Sequence, residues 1–211
     1  MHPSIPILQA DRLSFGYPHP PGPLLLEQFS LAVGPGVTFV CGDEGSGKTT
    51  LLRLLAGLPM ALAQGELRIK GVSLADHPER YRQQVAWLDP RDTALDQQTA
   101  RQIFASLPRS HPDFDPDALA LHAKGLSLAP HLDKALFMMS TGTRRKVLVA
   151  GALACGAPVT LLDQPFMALD RPSIDYLLAV LAQAARHSGR TWVVADYERP
   201  AQLALAGLVQ L

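Results

Sequence analysis

Apolar and polar positions half-alternate from Ile5 to Phe15 and again from Leu24 to Val33. The Pro/Gly-rich stretch Pro18-His19-Pro20-Pro21-Gly22-Pro23 lies between them, so two antiparallel strands joined by a turn are predicted. After a second turn at Gly34-Pro35-Gly36, Val37-Thr38-Phe39-Val40-Cys41 is a short β-branched run of the kind buried in a parallel sheet. A glycine-rich loop follows, and Thr50 to Gly57 then carries Leu51, Leu52, Leu54 and Leu55 at helical spacing, with Gly57 and Pro59 as stop signals. Gly65 to Val72 reads as a strand and Gln84 to Leu88 as a short one ending before Pro90. From about Asp96 to Leu136 the texture becomes helical pieces interrupted by Pro108, Pro112, Pro116 and Pro130. Lys146 to Ala154 is an apolar helix, Val159 to Asp163 a buried strand ending in an acid, Ile174 to His187 a helix, and Thr191 to Ala195 one more core strand.

No repeat, charge run or linker divides these parts, so 1–211 is expected to be one α/β domain with a helical subdomain inserted at about 96–136. A chain of 211 residues with 47% apolar residues can bury one sizeable core. Its 19 basic and 19 acidic residues cancel, which removes any global field that would draw it onto nucleic acid, and no nucleic-acid partner is expected. No apolar stretch approaches the roughly 20 residues needed to cross a bilayer, and Met1-His2-Pro3-Ser4 lacks the flank and apolar core of a leader. A cytoplasmic location is the expectation. The two cysteines, Cys41 and Cys155, have neither metal spacing nor disulfide density and read as small buried hydrophobes.

The chemistry concentrates in Gly42-Asp43-Glu44-Gly45-Ser46-Gly47-Lys48-Thr49, which fulfils G-x-x-x-x-G-K-[ST] between a strand and a helix. Consecutive backbone N–H groups opening into a helix N-terminus make an anion site, because donors and macrodipole converge. Lys48 would reach the outer phosphates as a point charge, and the Thr49 hydroxyl would ligate Mg²⁺. Asp163, closing its apolar run, falls at the carboxyl edge of the sheet, where it would hold a water on that ion. The fold class is therefore a P-loop NTPase core with a small antiparallel β portion at the N-terminus and an inserted α-helical subdomain, binding Mg-ATP.

Taken together, these residues resemble the ATP-binding cassette (ABC) ATPases, the nucleotide-binding subunits of ABC transporters, over nearly the full chain. Tyr17, in Ser14-Phe15-Gly16-Tyr17, is similar to the family's adenine-stacking aromatic. Met139-Ser140-Thr141-Gly142-Thr143 sits where the family carries its Leu-Ser-Gly-Gly-Gln signature, and Ala168-Leu169-Asp170 matches the short loop after the Asp163 strand. The resemblance implies a nucleotide set of Tyr17, Gly42, Gly45, Ser46, Gly47, Lys48, Thr49 and Thr50, with Ser140 and Gly142 contacting the γ-phosphate bound to a second cassette subunit in a head-to-tail homo- or heterodimer. It also implies separate transmembrane subunits and a peripheral place at the inner face of the membrane. Arg144-Arg145-Lys146 puts three cations at a helix start against the macrodipole, a choice that calls for a nearby anion unless the three simply face solvent.

The pattern departs from the family where hydrolysis is performed. Gln164 stands where the family places the glutamate that polarises the attacking water, and Asp196 stands in place of its switch histidine. The glutamine expected near Trp87 is missing, the stretch reading Trp87-Leu88-Asp89-Pro90-Arg91. An amide orients water but cannot take its proton, and losing a positioned base costs about 10²–10⁴-fold. A cassette that binds ATP and turns it over slowly is the expectation, with Gln164 and Asp196 at the altered catalytic positions. Asp43 and Glu44 would also weaken binding unless they face solvent. A non-transport regulatory switch driven by ATP is the alternative.

Overall fold

The computed structural model describes residues 6–17, 24–60, 64–187 and 189–211. The predicted turn at Pro18 to Pro23, Ile5 and the Met1-His2-Pro3-Ser4 start lie outside the described residues. In chain order the elements are β1 (Leu8–Phe15), β2 (Leu26–Val33), β3 (Gly36–Cys41), α1 (Lys48–Leu55), β4 (Gln64–Ile69), β5 (Val72–Ser73), α2 (Pro78–Arg82) and β6 (Val85–Ala86). They continue with α3 (Ala100–Ser110), α4 (Pro116–Gly125), α5 (Thr141–Ala154), β7 (Val159–Asp163), α6 (Arg171–Ala184), β8 (Thr191–Asp196) and β9 (Gly207–Gln210). An antiparallel sheet runs β2-β1-β4-β5, and a parallel sheet runs β6-β7-β8-β3-β9.

The parallel strands read as unbroken apolar runs because both of their faces are covered. Every residue of β3 and β7 is buried. On one face Val40, Leu161 and Val193 pack with Leu51, Leu52 and Leu55 of α1 and with Leu8 and Ile69 of the antiparallel sheet. On the other face Phe39, Leu162 and Val194 pack with Ile103 of α3, Leu148 of α5 and Leu177 of α6. The inserted helices thus share a core with the parallel sheet, since Ile103, Phe104 and Leu107 of α3 lie in the same cluster as Phe39.

Several boundaries differ from the sequence reading, each for a local reason. Gly65 to Val72 is two strands: Lys70 (φ 46°) and Gly71 (φ 81°) both take left-handed backbone, the requirement of a tight hairpin turn. The helix expected from Lys146 begins at Thr141, because Ser140 caps it by accepting the Thr143 N–H at 3.2 Å. Likewise Asp170 caps α6, which starts at Arg171. Of the four prolines in 96–136, Pro116 opens α4, Pro130 sits in a short 3₁₀ turn and Pro108 occupies the end of α3. Helix α1 begins at Lys48, and α2 and β9 were not foreseen; β9 is a four-residue edge strand with alternating exposure.

Candidate functional site

Parallel pairing brings the working residues to one sheet edge. Cys41 is level with Asp196, and Asp163 with Ala195, so β8 lies between the strand that feeds the glycine loop and the strand that ends in Asp163. Gln164 N–H donates to Ala195 O at 2.7 Å, which holds Gln164 at the carboxyl edge with φ 46°. Carboxyl edges of parallel strands are where such sheets receive ligands.

The loop itself is shaped by close approaches. A side chain at Gly42 would meet Ser46 Oγ at 2.5 Å, and Gly47 (φ 99°) lies against the Leu25 side chain. Gly47 is the N-cap of α1 and supplies no side-chain cap. Among the described residues, the amides of Gly45, Gly47, Lys48, Thr49 and Thr50 have no protein acceptor; only Ser46 N–H turns inward, to Asp43 O at 3.2 Å. These open donors and the α1 dipole form the anion cradle that the motif predicts.

Lys48 is buried, its ammonium donating to Gly42 O and Asp43 O at 2.6 Å each, with the Tyr197 ring centroid 4.8 Å away. Thr49 Oγ1 donates to Asp163 Oδ2 at 2.7 Å. The other Asp163 oxygen is buried without a partner among the described residues, and burial pushes this carboxyl up from its ordinary range, with the Thr49 hydrogen bond opposing. A hydroxyl beside a buried carboxylate with one oxygen unpaired among the described residues is a hard-oxygen donor set, which fits Mg²⁺. Asp196 is also lifted by burial, while its bond from Tyr197 N–H at 2.8 Å pulls the other way.

A cleft of about 430 Å³ runs along this edge, lined by Tyr17, Lys48, Thr49, Thr50, Arg91, Gln164 and Tyr197 among others. Tyr17 OH is 2.8 Å from Thr50 Oγ1, and its ring meets Phe15 edge-on at 5.0 Å, leaving it about half exposed. Asp43 and Glu44 are exposed, and Glu44 borders the cleft mouth. A more open groove of about 510 Å³ lies on the antiparallel sheet around Gln9, Asp11 and Arg68. That groove is lined by neither the glycine loop nor the Asp163 edge.

The signature segment does not line its own chain's cleft. Gly142 packs so closely on the Ala168 carbonyl that a Cβ would stand 2.2 Å from its oxygen. The three cations that follow neither face solvent nor await an external anion. Arg144 pairs with Asp96; Arg145 is buried and donates to Asp163 O and Gln164 O at 2.9 and 2.5 Å; Lys146 pairs with Asp170. Distant parts of the same chain thus supply two anions, Asp96 and Asp170, and a pair of carbonyls to these three cations. Sequence reading did not assign Arg91 or Tyr197 to the cleft; the available signals were the departure from the family in Trp87-Leu88-Asp89-Pro90-Arg91 and the place of Tyr197 directly after β8. Both cysteines are buried thiols, with Cys155 pushed up to about 12 by burial and donating to Gly151 O.

A glycine cradle on a helix N-terminus, a hydroxyl-carboxylate pair across β8 and an added antiparallel sheet define an ATP-binding domain of the cassette class. The chain belongs to the ABC transporter family, whose model matches residues 26–167. It is 33% identical over 192 residues to the cytochrome c biogenesis ATP-binding export protein CcmA of Pseudomonas syringae pv. syringae, covering 90% of this chain and 87% of that protein. Among solved structures, a putative ABC transporter ATP-binding protein from Pyrococcus furiosus matches with a TM-score of 0.73 at 21% identity, covering 97% and 96% of the two chains. A dimeric ATP-binding cassette in a post-hydrolysis state, bound to ADP and Pi, matches with a TM-score of 0.73 at 21% identity over 90% of this chain and 88% of that one. The chain is thus an ATP-binding subunit of the ABC transporter type. Among the described residues no helix is long and apolar enough to cross a membrane.

Proposed function

We propose that this chain binds Mg-ATP between the 42–49 loop and the Asp163-Gln164 edge, and turns it over slowly. The observation that carries the reading is the Thr49 to Asp163 hydrogen bond, which joins the two halves of a metal-phosphate site across the intervening strand. Thr49 Oγ1 and Asp163 would hold Mg²⁺, whose charge would offset that of the phosphates. Lys48 would leave its own loop carbonyls for the outer phosphates, the loop amides would cradle them, and Tyr17 would stack on adenine. Gln164 stands where a base is needed and Asp196 where a histidine is needed, so proton removal from water would be the weak step.

Ser140 and Gly142 lie away from their own cleft, which supports a head-to-tail dimer in which they close the cleft of a second cassette. The dimeric structural neighbour is bound to ADP and Pi, in keeping with that arrangement. A homodimer would carry two impaired sites, which favours a partner cassette with an intact site. Separate transmembrane subunits would place the pair at the inner face of a membrane. The related export protein favours transport over a soluble switch.

The test is Mg-ATP binding and hydrolysis by the purified chain beside Lys48→Ala and Gln164→Glu variants. Binding lost in Lys48→Ala and turnover raised about 10²–10⁴-fold in Gln164→Glu are the expected results. Brisk hydrolysis by a stable wild-type homodimer would overturn the slow-turnover reading.

A further inference from the structure

The turn after β6 is built to present one cation to the cleft. Asp89, largely buried, accepts Arg53 Nε and an Arg53 terminal nitrogen at 3.0 and 2.9 Å, which ties it to α1. Its other oxygen accepts the Arg91 N–H at 2.9 Å, and Pro90 between them has a fixed φ. The turn is therefore fastened at the helix that begins with Lys48 and Thr49. From it, Arg91 reaches the cleft wall shared with Lys48, Thr49 and Gln164.

Of the other cations around this edge, all but Arg199, which lies beyond β8 and does not line the cleft, are held by groups of the chain itself. Arg53 is held by Asp89, Arg144 by Asp96, Lys146 by Asp170, Arg145 by the Asp163 and Gln164 carbonyls, and Lys48 by loop carbonyls. Arg91 is exposed and has no ion-pair or side-chain hydrogen-bond partner among the described residues. Its charge acts on the Asp163 end of the cleft, where it draws the Asp163 carboxyl down and disfavours the charge on Arg145. Tyr17, which would stack on the base, borders the same cleft and meets Thr50 at 2.8 Å.

We propose that Arg91 is a binding residue for the terminal phosphoryl group, so that the cleft discriminates nucleoside triphosphate from diphosphate through a guanidinium on a fastened turn. The inference rests on the reading that this cleft holds a nucleotide. A planar guanidinium can donate two parallel hydrogen bonds to one phosphoryl group, whereas an ammonium acts as a point charge. A lysine at the same place should therefore recover only part of the effect.

The experiment is titration of the full chain with Mg-ATP and Mg-ADP, comparing wild type, Arg91→Gln and Arg91→Lys, with thermal melts to establish that each is folded. The glutamine variant is expected to bind ATP about 10- to 100-fold more weakly, as for loss of hydrogen bonds to a charged group, with ADP affinity within about twofold of wild type. The lysine variant should fall between. Equal weakening for both nucleotides, or no change for either in folded variants, overturns the role of Arg91. Wild type that binds neither nucleotide would instead overturn the nucleotide reading on which it rests.

Discussion

Thr49 Oγ1 donates a 2.7 Å hydrogen bond to Asp163 Oδ2, linking the first turn of α1 to the end of β7 over the strand between them. The partner oxygen, Oδ1, is buried and unpaired among the described residues, and burial has lifted the carboxyl from its ordinary range. The chain's own groups therefore only partly solvate the charge of this carboxylate. Asp163→Asn keeps an acceptor for Thr49 and removes that charge. The variant should melt higher than wild type without nucleotide, at about 2–4 °C per kcal/mol for a chain of this size. It should also lose the difference between ATP affinity with and without Mg²⁺. Calorimetric melts and titrations in Mg²⁺ or chelator check both; an unchanged Mg²⁺ dependence would remove Asp163 from the metal site.

Gly142 tests whether the signature helix and the loop at Ala168 are locked within one chain. In an unobstructed helix, alanine is favoured over glycine by about 1 kcal/mol. Here the added Cβ would stand 2.2 Å from the Ala168 carbonyl oxygen, and Ala168 is already left-handed at φ 60°. Gly142→Ala should therefore destabilise by about 1–3 kcal/mol, the cost of forcing atoms into a packed contact. A denaturant midpoint that rises instead would show that the loop yields freely.

How much of this was legible depends on how local each cause is. The strand-loop-helix unit of 37–55 and the strand ending at Asp163 were readable because β-branched runs, glycines and leucine spacing lie within a few residues of one another. The fate of Arg144, Arg145 and Lys146 was not, since their partners Asp96, the 163–164 carbonyls and Asp170 are brought in by the fold. Arg91 escaped for the same reason: its significance comes from the Arg53 to Asp89 tie, 36 residues apart, not from its neighbours in sequence. The short hairpin at Lys70-Gly71 carried only half of a local signal, the glycine, because Lys70 takes left-handed backbone without the side chain that usually favours it, within an otherwise continuous strand pattern.

Arg145 is the internal brace of the site. Its guanidinium reaches from α5 to the carbonyls of Asp163 and Gln164, and burial makes its charged form less favourable than in water. Arg145→Met would remove the donor and leave those carbonyls poorly satisfied, a loss of about 2–3 kcal/mol or roughly 5–10 °C in Tm. Arg145→Lys, with one point of donation in place of a planar fork, should recover part of it. Thermal unfolding of the two variants checks the order; equal stability of wild type and Arg145→Met would show that the carbonyls find other donors.

Acid sensitivity should come from two histidines remote from the cleft. His111 at the end of α3 is buried with its Nδ1 unpaired among the described residues, and burial lowers its pKa from 6.5, with a contact to the Gln83 backbone opposing. His122 on α4 is lowered from 6.5 chiefly by burial, and its Nδ1 lies 3.0 Å from Tyr176 OH on α6. For a base whose folded pKa is depressed, the unfolded chain takes up the proton first as pH falls. Their contribution to stability is thus complete above about pH 6.5 and declines below it, by up to about 1.4 kcal/mol per pH unit for each histidine until the folded form also protonates. Denaturant midpoints measured from pH 7.5 to 5 should fall in that window for wild type and fall less for a His111→Phe/His122→Phe variant. Parallel profiles for the two proteins would assign the acid loss to carboxylates instead.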